Sequence, residues 1–343
     1  MSAADLDEVL RLTSPTVWAG LRGQSLFITG GTGFVGKWLL ECLLQAERTL
    51  ALGLRLHVLT RDPASFAAAS PHLAASPVLT LHRGDITDFE FPDGTFSSII
   101  HAALPVAPAG AATGELLRMA QAGTRRVCEL AASRGARRFL HISSGAVYGP
   151  HAGAEAISED ILWNEAEAVN DYTRAKRLAE AVVLQSWPFE VSIARCFAFI
   201  GPCLQPSSGS AAAQFIAQAA GGRDIVVQGT GEAVRTYQYA GDMVRWLLTT
   251  LVLGRPGRAY NIGHRTDVTI AGLAALISRA AGSGQAVRIA GHPTPGLAGH
   301  RYVPDVHRAA EELGLRNAVD LADAIRRTLD WHRTAQATST VPT

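Results

Sequence analysis

The chain has 343 residues, more than one compact core usually holds, so a main domain with a smaller attached lobe is expected. Lys and Arg number 31 against 30 Asp and Glu, and this balance argues against nucleic acid or an anionic membrane as a partner. The longest apolar run, residues 246–253, is too short to span a bilayer, and the N-terminus lacks the order of a signal peptide, which predicts a cytoplasmic protein.

Short apolar, β-branched runs alternate with helical patterns through the first 200 residues, which is typical of parallel β-α-β units. The predicted strands are Leu26–Thr29, Leu56–Thr60, Val78–His82, Ser98–His101, Phe139–Ser143 and Val191–Arg195. The predicted helices between them are Phe34–Arg48, Glu115–Arg134 and Tyr172–Gln185. The pattern therefore predicts an α/β fold, a doubly wound parallel sheet of the Rossmann type.

After residue 200 the sequence becomes rich in Gly, Ser and Pro, with shorter elements such as Ile225–Gln228, Ile270–Ala281 and Leu321–His332. The predicted segments are a helical lead-in over 1–22, a dinucleotide-binding domain over 23–200, a smaller C-terminal α+β substrate lobe over 201–332 and a flexible tail over 333–343. The four cysteines form no C-x-x-C pair and no cluster with histidine, so no metal site is expected.

The dinucleotide prediction comes from a glycine-rich turn. Gly30, Gly33 and Gly36 follow the first strand and open the first long helix, whose first residues are Phe34 and Val35. Glycines at this spacing permit a tight turn and a close approach to a pyrophosphate, while the helix N-terminus supplies unpaired N–H groups. Strand, turn and helix in this order favour dinucleotide binding over a purely structural turn.

The end of the second strand indicates which dinucleotide is bound. An acidic residue there would accept hydrogen bonds from the adenosine ribose, whereas Arg61 after the uncharged Thr60 suits a 2′-phosphate. The sequence thus predicts NADP. NAD is possible if Arg61 is solvated and Asp62 binds the ribose instead.

Two more strand ends are predicted to contact the cofactor. Asp85, followed by Ile86, either accepts a hydrogen bond from the adenine amino group or caps a turn, and the spacing leaves both open. Ala102 and Ala103 follow the fourth strand, where small residues let the backbone approach the cofactor. His101 just before them is expected to be structural rather than catalytic.

A candidate catalytic centre lies on the predicted helix after the fifth strand. Tyr172 and Lys176 are four residues apart, so the phenol and the ammonium project from one face, and both are expected to reach the nicotinamide ribose of a bound cofactor. A phenol has a pKa of about 10, and an adjacent cation favours the phenolate that could act as a base. Ser144 ends the fifth strand, at the edge where such sheets bind ligands, and its hydroxyl could bond the reacting oxygen.

These motifs together resemble the extended short-chain dehydrogenase/reductase family of NAD(P)-dependent nucleotide-sugar epimerases and dehydratases, over roughly residues 23–330. The motifs that carry the resemblance are Gly30–Gly36, Ser143–Gly149, Tyr172-x-x-x-Lys176, Arg195–Pro202, Arg235–Asp242 and Tyr260–Gly263. The resemblance implies a catalytic triad of Ser144, Tyr172 and Lys176, a transient 4-keto sugar, a nucleotide-diphosphate sugar as substrate and a homodimer. It also implies that Arg235 holds the diphosphate, and one guanidinium can indeed pair with two phosphate oxygens.

The sequence departs from the family at two places. Family 4,6-dehydratases follow the catalytic serine or threonine with an Asp-Glu pair, because eliminating water needs an acid and a base. Here Gly145 and Ala146 follow Ser144, so this activity would need carboxylates from elsewhere, for example Glu159 or Asp160. In addition, Ala198 replaces an asparagine that contacts substrate phosphate in many relatives.

These two differences from the family pattern determine which function is preferred. An epimerase that oxidises and re-reduces the sugar is the first prediction, and an NADPH-dependent 4-keto-sugar nucleotide reductase is the second. An atypical dehydratase and a non-catalytic dinucleotide sensor are the lesser alternatives. The same triad serves the first two reactions, so the sequence leaves them unseparated.

Overall fold

A computed structural model of the chain describes residues 1–103, 113–150, 155–163, 169–282, 284–292 and 300–339. The strands are β1 (Ser25–Thr29), β2 (Arg55–Thr60), β3 (Leu79–Arg83), β4 (Ser98–His101), β5 (Arg138–Ser144), β6 (Glu190–Cys196), β7 (Phe199–Ile200), β8 (Ile225–Val227), β9 (Val234–Thr236), β10 (Gln238–Tyr239), β11 (Arg258–Ile262), β12 (Asp267–Thr269), β13 (Val287–Ile289) and β14 (Arg301–Tyr302). The helices are α1 (Ala3–Leu12), α2 (Pro15–Leu21), α3 (Phe34–Leu50), α4 (Pro63–Ala69), α5 (Pro71–Ala74), α6 (Thr113–Arg118), α7 (Thr124–Ser133), α8 (Asp171–Val183), α9 (Ala211–Ala220), α10 (Ala240–Leu253), α11 (Ile270–Ala281), α12 (His307–Leu313) and α13 (Leu321–Ser339).

The central sheet has seven parallel strands in the order β3-β2-β1-β4-β5-β6-β11. Every residue of β1 is buried, as expected for a strand covered on both faces of a parallel sheet. Leu26 and Ile28 pack into one core with α3 and α10, while Phe27 packs into a second core with α7 and α8 on the opposite face. The predicted doubly wound sheet is confirmed.

The predicted helices between the strands are present with shifted ends. The predicted helix Glu115–Arg134 consists of α6, a π-helical turn at Met119–Gly123 and α7. The lead-in consists of α1 and α2, whose N-termini are capped by the Ser2 and Ser14 hydroxyls. Within the described residues no helix is both long and apolar enough to cross a bilayer.

The C-terminal part of the chain adds one strand to the central sheet and takes part in three small sheets. β11 joins the central sheet beside β6, although it belongs to the segment predicted as a separate lobe. The other strands of that segment form small sheets of the order β10-β7, β12-β9-β14 and β13-β8, which lie with α9, α11 and α13.

The end of α13 differs from the sequence prediction. The apolar periodicity stops at His332, and a flexible tail is expected from residue 333, but the helix continues to Ser339. Ala335, Gln336 and Ala337 are good helix formers without being apolar markers, which explains why the apolar periodicity ends before the helix does. Residues 340–343 of the predicted tail lie outside the described residues.

Candidate active site

The glycine turn after β1 is built for close backbone approach. Gly30 has φ of +70°, and a Cβ there would lie 2.7 Å from the backbone carbon of Ala102. A Cβ on Gly36 would lie 2.4 Å from the Gly30 carbonyl oxygen. Only glycine therefore fits at these two positions without moving the turn.

Gly33 is different, since a Cβ there would meet only the Gly30 carbonyl oxygen, at 3.5 Å. Gly33 is the N-cap of α3, and no side chain among the described residues caps this helix. The first N–H groups of α3, on Phe34, Val35 and Gly36, therefore favour an anion at this end. The Phe34 and Val35 side chains pack against the core, so only their backbone is suited to contact a cofactor.

A cavity of about 510 Å³ opens beside this turn and gathers most of the residues predicted to bind the cofactor. Its lining includes Gly30, Gly33, Arg61, Asp85, Ile86, Ala102 and Ala103. Lys37 and Met119 also line the cavity and were missed by the sequence reasoning. The i, i+4 spacing of Gly33 and Lys37 on α3 could have indicated the lysine. The glycine turn, the uncapped N-terminus of α3 and the cationic side chains of Arg61 and Lys37 together fit a phosphate-bearing dinucleotide.

The residues that line the cavity are relevant to the choice between NADP and NAD. The Asp62 carboxylate accepts a hydrogen bond from the Ser65 N–H at 3.0 Å and caps α4, and the hydrogen bonds from Ser65 lower the pKa of Asp62. Arg61 is exposed at the rim of the same cavity. The Asp85 Oδ1 atom accepts hydrogen bonds from the Thr87 N–H at 3.0 Å and the Thr87 hydroxyl at 2.7 Å, so Asp85 caps a turn and also lines the cavity.

The three predicted catalytic side chains lie together at the carboxyl edge of the sheet. Ser144 ends β5, and its side chain is near enough to the Tyr172 phenol of α8 to lower the pKa of that phenol. The Lys176 Nζ atom lies 5.9 Å from the centre of the Tyr172 ring and donates to the Ile142 carbonyl at 3.0 Å. In the register between β4 and β5, His101 at the end of β4 pairs with His141. Ser144 follows His141 by three residues, so it lies beyond the end of β4, on the side where Ala102 follows that strand.

The pKa of Tyr172 departs from the sequence expectation. Burial raises the pKa of its phenol, and the hydrogen bond with Ser144 opposes that rise. The ammonium of Lys176 was expected to lower this pKa, but its Nζ donates to the Ile142 carbonyl and lies 5.9 Å from the centre of the Tyr172 ring. Burial lowers the pKa of Lys176 itself to about 8.

A second phenol, which the sequence reasoning missed, lies next to the end of β5. Burial raises the pKa of the Tyr302 phenol of β14, and the Ser144 side chain opposes that rise. A Cβ on Gly145 would lie 2.5 Å from the Tyr302 Oη atom and 2.6 Å from the Phe197 Cζ atom. Glycine at 145 thus leaves room for Tyr302, and no local sequence pattern signals a contact between residues so far apart.

Arg235 lies beside this group. Its Cζ atom lies 5.8 Å from the centre of the Tyr302 ring, and its Nη1 atom donates to the Val234 and His300 carbonyls at 2.8 Å and 2.7 Å. The predicted diphosphate arginine therefore lies beside the Tyr302 ring, whose hydroxyl is next to Gly145.

A buried ion pair supports the strand and helix that carry the site. Arg195 of β6 donates two hydrogen bonds to the Glu180 carboxylate of α8, at 3.1 Å and 2.8 Å, and the Ser143 hydroxyl donates to Glu180 at 2.5 Å. Arg195 also donates to the Tyr148 hydroxyl at 3.1 Å. Burial opposes the charge of Arg195, but the hydrogen bonds and charge of Glu180 raise its pKa overall. This pair fixes α8 against β5 next to Ser144.

His101 is structural, as expected. Its Nδ1 atom lies 2.8 Å from the Thr29 hydroxyl and its Nε2 atom lies 3.0 Å from the Thr124 hydroxyl. Burial is the main cause that lowers the pKa of His101, to about 3. The described residues include no cluster of three side chains suited to hold a metal ion.

Comparison with known proteins agrees with this geometry. The NAD dependent epimerase/dehydratase family matches residues 26–263. The chain belongs to this family. The resemblance to extended short-chain dehydrogenases, inferred from the motifs, is thus confirmed, and the family consists of enzymes.

Curated relatives span nearly the whole chain. A dTDP-glucose 4,6-dehydratase of Streptomyces antibioticus is 28% identical, covering 92% of this chain and 94% of its own length. A UDP-glucuronic acid decarboxylase 1 of Xenopus tropicalis is 27% identical, covering 90% of this chain and 72% of its own length.

Solved structures share the fold. A UDP-glucuronic acid 4-epimerase from Bacillus cereus in complex with NAD has a TM-score of 0.75 at 20% identity, covering 91% of this chain and 99% of its own. A dTDP-glucose 4,6-dehydratase from Streptomyces venezuelae has a TM-score of 0.78 at 25% identity, covering 92% and 98%.

Among the described residues, Glu159 and Asp160, the two carboxylates named above as a possible acid and base for dehydration, are engaged elsewhere. The Glu159 carboxylate accepts the Asn261 N–H at 2.8 Å and lies 3.9 Å from Arg308. Asp160 forms an ion pair with the same arginine.

Proposed function

We propose that the chain is a nucleotide-sugar epimerase that works through a transient keto sugar. The observation that carries the proposal is the meeting of the Ser144, Tyr172 and Lys176 side chains at the carboxyl edge of the sheet, the edge onto which the dinucleotide-sized cavity also opens. A sensor of dinucleotides would need the cavity but none of these three groups.

Each side chain has a role that its contacts support. Tyr172 removes the proton from the sugar hydroxyl, and Ser144 donates a hydrogen bond to the same oxygen. Lys176, whose Nζ lies 5.9 Å from the centre of the Tyr172 ring, would hold the nicotinamide ribose of the cofactor, and Arg235 pairs with the substrate diphosphate. A nicotinamide dinucleotide held by the glycine turn and the N-terminus of α3 would supply hydride transfer at the sugar carbon. In the same proposal, residues 201–332 supply most of the substrate contacts, while the homodimer and the cytoplasmic location stay predictions.

The surroundings of Ser144 favour this reaction over dehydration. Loss of water from the sugar needs an acid for the leaving hydroxyl and a base for the carbon-bound proton. Gly145 offers neither, and Tyr302 and Phe197 fill the space where a side chain at 145 would project. Glu159 and Asp160 are held at Arg308.

A reductase that uses NADPH is the second candidate, because two cations line the cofactor cavity. Arg61 at its rim and Lys37 on α3 could both pair with a 2′-phosphate, which Arg can bind through two nitrogens. We propose NADP as the preferred cofactor on the same grounds, with NAD as the alternative.

Replacing Arg61 with alanine is expected to weaken NADP binding by about ten- to a hundred-fold and NAD binding by less than about three-fold, because a charge-assisted hydrogen bond to phosphate is lost. Calorimetric titration of both dinucleotides measures this. Arg83, an exposed arginine outside the cavity lining, provides the matched control as Arg83→Ala. Equal losses for the two cofactors in Arg61→Ala would show that Arg61 reads no 2′-phosphate.

The function itself is tested by incubating the protein with UDP- and dTDP-hexoses and UDP-glucuronic acid, with NAD or NADPH. An epimerase forms an isomer without net change in cofactor absorbance. Stoichiometric consumption of NADPH with a 4-keto-6-deoxy sugar nucleotide would establish the reductase instead. Loss of water or of carbon dioxide, detected by mass spectrometry, would contradict both proposals.

A further inference from the structure

A cavity of about 770 Å³ lies at the amino edge of the central sheet, and no step of the proposed reaction uses it. Its lining includes residues that begin or directly precede neighbouring strands, among them Gln24, Ser98, Arg138 and Glu190. From Arg138 to Ser144, β5 spans about 20 Å at the usual rise per residue, so this amino-edge cavity is remote from the active site. Its volume is typical of sites that bind small molecules.

One wall of the amino-edge cavity is the end of a stack of aromatic rings. The ring centres of Phe139 in β5 and Phe189 lie 5.3 Å apart with 15° between the ring planes, and those of Phe189 and Trp187 lie 5.9 Å apart with 9°. Phe139 is buried, whereas Trp187 is half-buried and lines the cavity. The Trp187 Nε1 atom donates to the Val182 carbonyl at 3.0 Å, so the indole offers the cavity hydrocarbon surface rather than a donor. A flat ring placed on Trp187 would continue the stack.

The charges that line the amino-edge cavity leave one cation over. Arg138 and Glu190 lie 3.3 Å apart and compensate each other. Arg137 is exposed, and within the part of the chain that the structure describes its guanidinium has no hydrogen-bonding or ion-pair partner. The Glu190 N–H donates to the Arg137 carbonyl at 2.9 Å, which places Arg137 beside the strand that begins after Phe189. An unpaired guanidinium can bind two phosphate oxygens at once.

Gln24 adds neutral polar groups to the same cavity. Its Oε1 atom lies 3.5 Å from the Ser98 hydroxyl, while its Nε2 atom has no partner among the described residues. An amide that can still donate suits the hydroxyl groups of a sugar. The cavity therefore combines an aromatic surface, an unpaired cation and a free amide donor, which match the base, the phosphate and the ribose of a nucleotide.

We propose that the amino-edge cavity is a second ligand site of this chain and binds a nucleotide. The base stacks on Trp187, the phosphate pairs with Arg137, and the ribose hydroxyls lie towards Gln24. The site is separate from the dinucleotide cavity beside the glycine turn and from the residues proposed to hold the nucleotide sugar. It stands whether or not the chain converts a nucleotide sugar.

The test uses uridine monophosphate as the probe, with an excess of NADP or NAD present to fill the dinucleotide cavity. The readout is the fluorescence of Trp187, taken as the difference between the protein and its Trp187→Phe variant because the chain has six tryptophans. A base that stacks on Trp187 is expected to quench this difference signal until the site is saturated. A difference signal that stays constant on addition of uridine monophosphate would overturn the inference.

Arg137→Ala tests the phosphate contact. It is expected to raise the Kd for uridine monophosphate by about ten-fold or more, because hydrogen bonds to a charged group are lost. Arg223→Ala removes an exposed arginine outside the cavity lining, so this matched control should leave the Kd unchanged. An equal Kd in Arg137→Ala and the unaltered protein would contradict the assigned site.

Two fragments of the probe test the class of ligand. Uridine lacks the phosphate and inorganic phosphate lacks the ring, so each should bind at least about ten-fold more weakly than uridine monophosphate, the phosphate being measured by competition. If either fragment binds as tightly as the whole nucleotide, the cavity does not recognise a nucleotide.

Arg235→Ala separates this site from the active site. It removes the proposed diphosphate contact and should leave the quenching of Trp187 unchanged. Loss of quenching in Arg235→Ala together with normal quenching in Arg137→Ala would place the probe in the active site and overturn the inference. A protein that converts no nucleotide sugar would contradict the proposed function alone, since the quenching of Trp187 is measured without turnover.

Discussion

Tyr172→Phe is expected to lower the turnover number by about two to four orders of magnitude, the usual contribution of a positioned acid or base. The substitution removes only the phenol hydroxyl, while the ring keeps its contact with Lys176 and its place on α8. Steady-state kinetics on whichever nucleotide sugar the wild-type protein converts measure the effect. Because the loss concerns the transition state alone, kcat should fall with little change in KM.

Cofactor affinity is the control for this variant. The cavity beside the glycine turn does not include Tyr172 among its lining residues, so dinucleotide binding by calorimetry should change by less than about three-fold. Turnover at the wild-type rate would remove Tyr172 from the mechanism. A parallel collapse of binding and turnover would instead show that the phenylalanine variant had lost its fold.

Arg195→Met is expected to lower the free energy of unfolding by about 3–5 kcal/mol, because it leaves the Glu180 carboxylate buried without its cation. Arg195 is 7% exposed and Glu180 is 1% exposed, so water cannot take over the lost hydrogen bonds. Urea unfolding followed by circular dichroism measures the change. The loss exceeds what the pair itself contributes, since it includes the cost of an uncompensated charge.

An exposed ion pair in the same sheet supplies the comparison. Arg138 of β5 lies 3.3 Å from Glu190 of β6, and both side chains are partly open to solvent, at 36% and 52% exposure. Arg138→Met should therefore cost less than about 1 kcal/mol. Similar losses for the two variants would contradict the structural role given to the buried pair.

The features that the sequence predicted well are those with a local cause. The glycine turn and α3 follow each other along the chain, and apolar runs mark β1 to β6 to within one residue at each end. Ser144, Tyr172 and Lys176 could be brought together because parallel strands share one carboxyl edge and i, i+4 residues share one helix face.

The features that the sequence missed depend on contacts between distant segments. Tyr302 stands in a short strand with no periodicity of its own, and its approach to Ser144 is decided by the glycine at 145 and by the pairing of β14 with β9. Glu180 sits on a helix where a carboxylate would ordinarily be solvated, and only the arrival of Arg195 from β6 explains its burial. The pKa of Tyr172 was mistaken because spacing along a helix does not give the direction in which the lysine points.

The late position of β11 in the sequence has a consequence for synthesis of the protein. Until residues 258–262 have emerged, β6 presents an open row of N–H and C=O groups, the kind of edge through which chains associate wrongly. The parallel pairing of β6 with β11 forms slowly, because the long segment between them must lose conformational entropy before the two strands can pair. A nascent chain that ends at residue 200 therefore lacks one strand of the central sheet. The dinucleotide-binding segment can complete its sheet only after residues 258–262 have been synthesised.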